Sequence, residues 1–87
     1  MDLRLKGRAA LVTGASRGIG AAIATGLAAE GVRVAIVARN DEGLQALADT
    51  LRATGAEILP IAADLIEPDA ADRVVKTVED KFGAVDI

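Results

Sequence analysis

The 87-residue chain carries 10 Lys and Arg against 13 Asp and Glu, a net charge of −3 and a pI near 4.8, which argues against a nucleic-acid binder and its basic stripe. It contains neither Cys nor His, which excludes a disulfide framework, a thiolate metal site and a conventional zinc centre, so no metal ligands are assigned. No apolar run approaches the roughly 20 residues of a membrane span, and the opening MDLRLKGRAALV does not read as a signal peptide, so a cytoplasmic protein is expected.

The chain is 52% hydrophobic but has one aromatic residue, Phe82, so its core must be built from Ala, Val, Leu and Ile. In chain order, residues 8–13 form a short apolar run ending at Gly14 and predict a buried strand. Ile19, Ala22, Ile23, Gly26 and Leu27 recur at the spacing of a core-facing helical stripe, and Glu30-Gly31 supplies a stop. Residues 32–37 predict a second buried strand. Asn40 or Asp41 can cap the next helix, in which Leu44, Leu47, Ala48 and Leu51 share one face and which Gly55 ends; Asp41 and Glu42 complement its dipole. Residues 58–63 predict a third strand, placed at a sheet edge because Pro60 lacks a ladder donor. Glu67-Pro68-Asp69 opens a third helix with Pro68 near N1, an apolar face of Ala71, Val74, Val75, Val78 and Phe82, and Gly83 closing it. Residues 84–87 look like the start of a fourth strand.

The order βαβαβα followed by a strand predicts an α/β fold of the Rossmann type, a doubly wound parallel sheet that these residues leave incomplete. With strand order 3-2-1, the Pro60 strand lies at the edge and the fourth strand on the open side of the first. The crevice between the first and fourth strands is the topological switch point, where ligands bind.

Gly14, Gly18 and Gly20 form G-x-x-x-G-x-G at the first strand-to-helix junction. Gly14 allows a turn where a side chain would clash, Gly18 lets backbone N–H groups approach an anion, and Gly20 lets the helix pack against the sheet. The helix N-terminus, with its unpaired N–H groups and partial positive charge, suits a pyrophosphate. No Gly-Lys-Ser/Thr follows, which argues against a P-loop NTPase. The alternative is a tight turn whose glycines serve packing alone; the position inside a complete βαβ unit favours the phosphate reading.

Residues Thr13-Gly14-Ala15-Ser16-Arg17-Gly18-Ile19-Gly20 resemble the TGxxxGIG cofactor motif of the short-chain dehydrogenase/reductase family. Asp64-Leu65 is similar to the family's adenine-contacting Asp and its neighbour, and Phe82-Gly83-Ala84-Val85-Asp86-Ile87 resembles the lead into its fourth strand. The motifs also look like those of 3-oxoacyl-carrier-protein reductases. The resemblance covers the whole chain. It implies that residues 1–87 are the N-terminal portion of a single NAD(P)-binding Rossmann domain, with a nicotinamide dinucleotide bound at Gly14, Ser16, Arg17, Gly18, Ile19, Gly20, Arg39, Asp64 and Leu65. The implied reaction is hydride transfer between a small-molecule carbonyl and a secondary alcohol, in an enzyme that forms homo-oligomers when complete.

The cofactor expected is NADP(H) rather than NAD(H). An NAD site places an acid about 20 residues beyond the glycine turn, to bind the ribose 2′-OH. Ala38 stands there instead, followed by Arg39, and Arg17 lies in the turn itself. Two arginines and a Ser16 hydroxyl suit a 2′-phosphate, a charge-assisted hydrogen bond being worth roughly 1.5–3 kcal/mol. The alternative for either arginine is a solvated surface charge. For Asp64 it is a helix or loop cap, and Thr13 is read as fixing the turn by hydrogen bonding.

The catalytic Ser and Tyr-x-x-x-Lys of the family have no counterpart: the chain has no tyrosine and its only serine is Ser16. No catalytic residue is therefore assigned, and neither Lys76 nor Lys81 is put in that role. The expectation is the cofactor-binding part of a longer enzyme, inactive and marginally stable if taken alone. The alternative is a dinucleotide-binding module without catalysis.

Overall fold

The computed structural model describes residues 7–15 and 18–83. Its elements are β1 (Ala9–Thr13), α1 (Gly18–Ala29), β2 (Arg33–Ala38), α2 (Asp41–Arg52), β3 (Ile58–Ala62) and α3 (Ala70–Phe82). The three strands are parallel and ordered β1-β2-β3, with Thr13 opposite Val37 and Ala38 opposite Ala62. The two-residue period of a strand sorts β2 into two cores. Val34, Ile36 and Ala38 join Ala10 and Val12 beneath α1 and α2; Ala35 and Val37 join Ala9 beneath Val74, Val78 and Phe82 of α3. Burial on both faces is why β2 is a near-continuous apolar run. Each fully buried branched side chain, such as Ile36 or Val34, contributes about 1.5–3 kcal/mol. Helices on opposite faces of a parallel sheet make this a Rossmann-type, doubly wound arrangement.

The second helix follows its sequence pattern closely. The Asn40 side chain accepts a hydrogen bond from the Gly43 N–H at 3.2 Å, Asp41 and Glu42 occupy the first turn, and Leu44, Ala48 and Leu51 are buried with Leu47 half-buried. The first helix departs from it. Ile19 is 80% exposed and Ile23 49%, Ala22 and Gly26 are exposed too, and the buried residues are Ala24 and Ala28. Apolar residues surround this helix, so periodicity alone does not select a face. Sterics do: Ala24 and Ala28 let the helix lie close to β1 and β2, where isoleucines would hold it away. The stop at Gly31 is as expected, with Gly31 N–H donating to Ala28 O and Val32 N–H to Leu27 O in a Schellman arrangement.

The third helix begins at Ala70, with Asp69 as N-cap, so Pro68 precedes the cap instead of standing at N1. Its buried face is Ala70, Val74, Val78 and Phe82; Ala71 and Val75, placed on that face by the sequence pattern, are exposed. The face is narrower because α3 alone covers this side of the sheet among the described residues. Gly83 closes the helix, its N–H donating to Glu79 O at 2.8 Å. Phe82 packs at the far end, where the Arg33 guanidinium lies 5.4 Å from its ring centroid and Arg33 Nε donates to Gly7 O.

As expected, Pro60 lies at a sheet edge among the described residues, in a strand with β2 on one side only. Glu57 O accepts from Val34 N–H and Ala63 N–H donates to Ala38 O, so odd-numbered residues of β3 face β2 and the Pro60 nitrogen points outward. The outward carbonyl of Ile58 accepts from Arg52 Nη2 at 3.0 Å. Residues 84–87, where a fourth strand is expected to begin, lie outside the described residues.

Candidate functional site

The carboxyl ends of all three strands open into one groove of about 610 Å³. Thr13 and Gly14 form its β1 wall, Val37, Ala38, Arg39 and Asn40 its β2 wall, and Ala63, Asp64, Leu65 and Ile66 its β3 wall. Open parallel sheets bind ligands at this end of the strands.

A break in the β1 ladder shapes the first wall. Arg33 N–H donates to Arg8 O, and alternation then makes residues 10, 12 and 14 the ones that face β2. Yet Ala15, not Gly14, donates to Val37 O, at 3.1 Å. Gly14 is thus left out of the ladder in a left-handed conformation with φ 62°. A Cβ built there meets nothing within 4 Å, so the position needs glycine for its backbone angle and not, as expected from sequence, to avoid a clash.

Gly20 is the glycine that avoids one. A Cβ there would overlap the Gly14 carbonyl oxygen and stand 2.9 Å from the Gly14 carbonyl carbon and 3.1 Å from Ala15 Cα. Its contact is with the backbone of the turn, where the sequence reading had placed it against the sheet. Gly18 opens α1 with φ 65°, again with open space where a side chain would be. The first turn of α1 contains no acid, in contrast to α2 with Asp41 and Glu42. A positive helix end without a carboxylate of its own, beside open space, fits an anionic group such as a pyrophosphate.

On the β2 wall Arg39 is exposed and makes no ion pair among the described residues. Ala38, at the strand end, is 8% exposed and brings no carboxylate. On the β3 wall the half-buried Asp64 accepts from Ile66 N–H through Oδ1 at 3.0 Å, and Glu67 N–H donates to Asp64 O. The loop-cap reading of Asp64 thus holds, and the cap fixes the carboxyl in the groove wall. A second groove of about 380 Å³ adjoins, lined by Arg39, Ala62, Ala63, Asp64, Glu67 and Arg73.

Comparison with known proteins then decides the family. The short chain dehydrogenase family model matches residues 8–87. The chain belongs to the short chain dehydrogenase family. It is 43% identical over 97% of its length to a short chain dehydrogenase of Pseudocercospora fijiensis, covering 27% of that protein. It is also 41% identical over 98% of its length to the 3-oxoacyl-[acyl-carrier-protein] reductase of Escherichia coli, covering 34% of it. The crystal structure of L-sorbose reductase from Gluconobacter frateurii, complexed with NADPH and L-sorbose, superposes with a TM-score of 0.93 at 40% identity, over 99% of this chain and 33% of that one. The chain therefore spans about a quarter to a third of the length of these relatives.

Of the residues that resemblance to this family implicates, the structure gathers Gly14, Arg39, Asp64 and Leu65 around the strand-end groove. Gly18, Ile19 and Gly20 stand apart from its lining, on the first turn of α1, and Ser16 and Arg17 lie outside the described residues. Thr13 differs from its expected role: it is an exposed part of the groove wall, and its hydroxyl makes no hydrogen bond among the described residues. Asn40, Ala63 and Ile66 were not singled out as site residues from sequence. Their signal was positional, since Ala63 is the last residue of a predicted strand and Asn40 and Ile66 lie three residues past the carboxyl end of one. Among the described residues no group of acidic side chains is arranged to hold a metal ion, and no helix is long and apolar enough to cross a membrane.

Proposed function

We propose that this chain is the NADP(H)-binding part of a short chain dehydrogenase that transfers hydride between a small-molecule carbonyl and a secondary alcohol. The observation that carries the reading is the β2 end of the groove: a buried Ala38 where an NAD site would present an acid, followed by an exposed Arg39 that makes no ion pair among the described residues. NADPH in the L-sorbose reductase complex, and NADP in a metagenomic relative of 43% identity and TM-score 0.89, support it. The cofactor supplies the hydride. The groups of this chain bind and orient it: the turn at Gly14 and Gly18 and the amide end of α1 receive the pyrophosphate, while Arg39, with Arg17 and Ser16, receives the 2′-phosphate. Asp64 and Leu65 form the adenine wall. A carboxylate fixed by Ile66 N–H through one oxygen can accept from an exocyclic amine through the other.

Titration of the intact protein with NADPH and NADH tests this. Arg39→Asp is expected to weaken NADPH about tenfold or more and to strengthen NADH, since a carboxylate in this position repels a 2′-phosphate and accepts from a 2′-OH. An unchanged NADPH-to-NADH ratio overturns the assignment. A second reading is a dinucleotide-binding module without catalysis. NADPH oxidation with carbonyl substrates separates the two, because the module binds the cofactor and turns nothing over.

A further inference from the structure

Resting on the reading of Arg39 as the 2′-phosphate ligand, we infer that Arg73 is a specificity-positioning residue, which holds the Glu67 carboxylate off Arg39 and so keeps that guanidinium available to a phosphate. Arg39 shares the groove of about 380 Å³ with two acids, Asp64 and Glu67. Either could neutralise it and cancel the preference for a phosphorylated ribose. Each has a partner other than Arg39. Asp64 accepts from Ile66 N–H through Oδ1 at 3.0 Å, which sets its direction in the groove wall and leaves Oδ2 to the adenine amine, and Glu67 Oε2 lies 3.9 Å from Arg73 Nη2. The backbone cannot carry Glu67 away from the groove, because its N–H donates to Asp64 O and its carbonyl accepts from Ala70 N–H. Only its side-chain direction is free, and Arg73, anchored in α3 by its N–H to Asp69 O, provides the one ion pair Glu67 makes among the described residues. Both side chains of this pair are about two-thirds exposed, 66% for Arg73 and 64% for Glu67, so its effect is modest and sensitive to salt.

The test is a double-mutant cycle in the intact protein, with NADPH and NADH dissociation constants measured by fluorescence titration at low ionic strength. Arg73→Gln is expected to weaken NADPH by about two- to fivefold, the span of an exposed ion pair, and to leave NADH unchanged, which also reports an intact fold. In the Glu67→Gln background the same change is expected to have no effect, because the competitor is gone. Equal losses in both backgrounds would show Arg73 acting directly on the phosphate and overturn the proposal, as would an unchanged NADPH constant in Arg73→Gln alone. Arg39→Ala serves as the reference. If it leaves the NADPH-to-NADH ratio unaltered, the cofactor assignment itself fails; if it lowers the ratio and Arg73→Gln does not, only the role of Arg73 fails.

Discussion

Two residues at helix starts, one in the first turn of α1 and one capping α3, show how backbone geometry constrains the choice of side chain. Gly20 touches the turn so closely that even one methyl group cannot be accommodated without moving the Gly14 carbonyl. Gly20→Ala is expected to cost about 1–3 kcal/mol in denaturant unfolding, in the range of overpacking, and to weaken NADPH because the displaced carbonyl belongs to the turn proposed to receive the pyrophosphate. Asp69 is the other, a non-glycine residue at φ 68° whose side chain makes no cap hydrogen bond. Its neighbours on either side, Pro68 and Ala70, lead into α3, so the strain sits where the chain changes direction. Asp69→Val is expected to lose about 1–2 kcal/mol, since a β-branched side chain tolerates this region poorly, whereas Asp69→Asn should stay within about 0.5 kcal/mol. Equal stabilities for the two variants would show that the left-handed geometry carries no cost. The requirement for glycine at position 20 was legible in the motif, but its contact was not, because a motif records spacing and not which backbone atoms approach.

At the scale of elements, legibility tracked amphipathicity. In α2 the charged and apolar residues alternate cleanly, and the sequence located its face and narrowed its cap to Asn40 or Asp41, of which Asn40 is the one; the helix ends at Arg52, three residues before the expected stop at Gly55. In α1 charge is absent, every face is apolar or small, and the choice among faces falls to shape, which periodicity does not encode. The contact through Ala24 and Ala28 has a direct test: Ala24→Leu is expected to lose about 1–3 kcal/mol in thermal or denaturant unfolding, by forcing a larger side chain into a closed interface. A stability unchanged by that substitution would place the helix farther from the sheet than the structure does. The β3 strand was legible for the opposite reason, since Pro60 permits only an outward-facing nitrogen at an edge.

For the molecule as a whole, the sequence order of elements together with handedness was enough to infer the parallel sheet and its order. Both crossovers that lead outward from β1 to β3 carry their helices on one face, and α3 lies on the other. With α3 on that other face, a right-handed crossover to a fourth strand is expected to lead back past β1, which would put the glycine turn of β1 at the reversal point. Side-chain pairing was not readable in this way: the link between Glu67 and Arg73 joins residues six apart across a loop and a helix start, a spacing that corresponds to no regular period. Binding and stability should be coupled across the whole fold. NADPH at about a hundred times its dissociation constant is expected to add about 2.7 kcal/mol to unfolding, and NADH at the same concentration distinctly less. The far edge of β3 has a different consequence. With the nitrogen of Pro60 turned outward and the Ile58 carbonyl already taken by Arg52, that side offers an incoming chain neither a full row of donors nor a full row of acceptors. That side of the sheet is therefore guarded against the edge-to-edge pairing that an unbroken strand edge invites, so aggregation by strand addition is disfavoured there by the protein's own sequence.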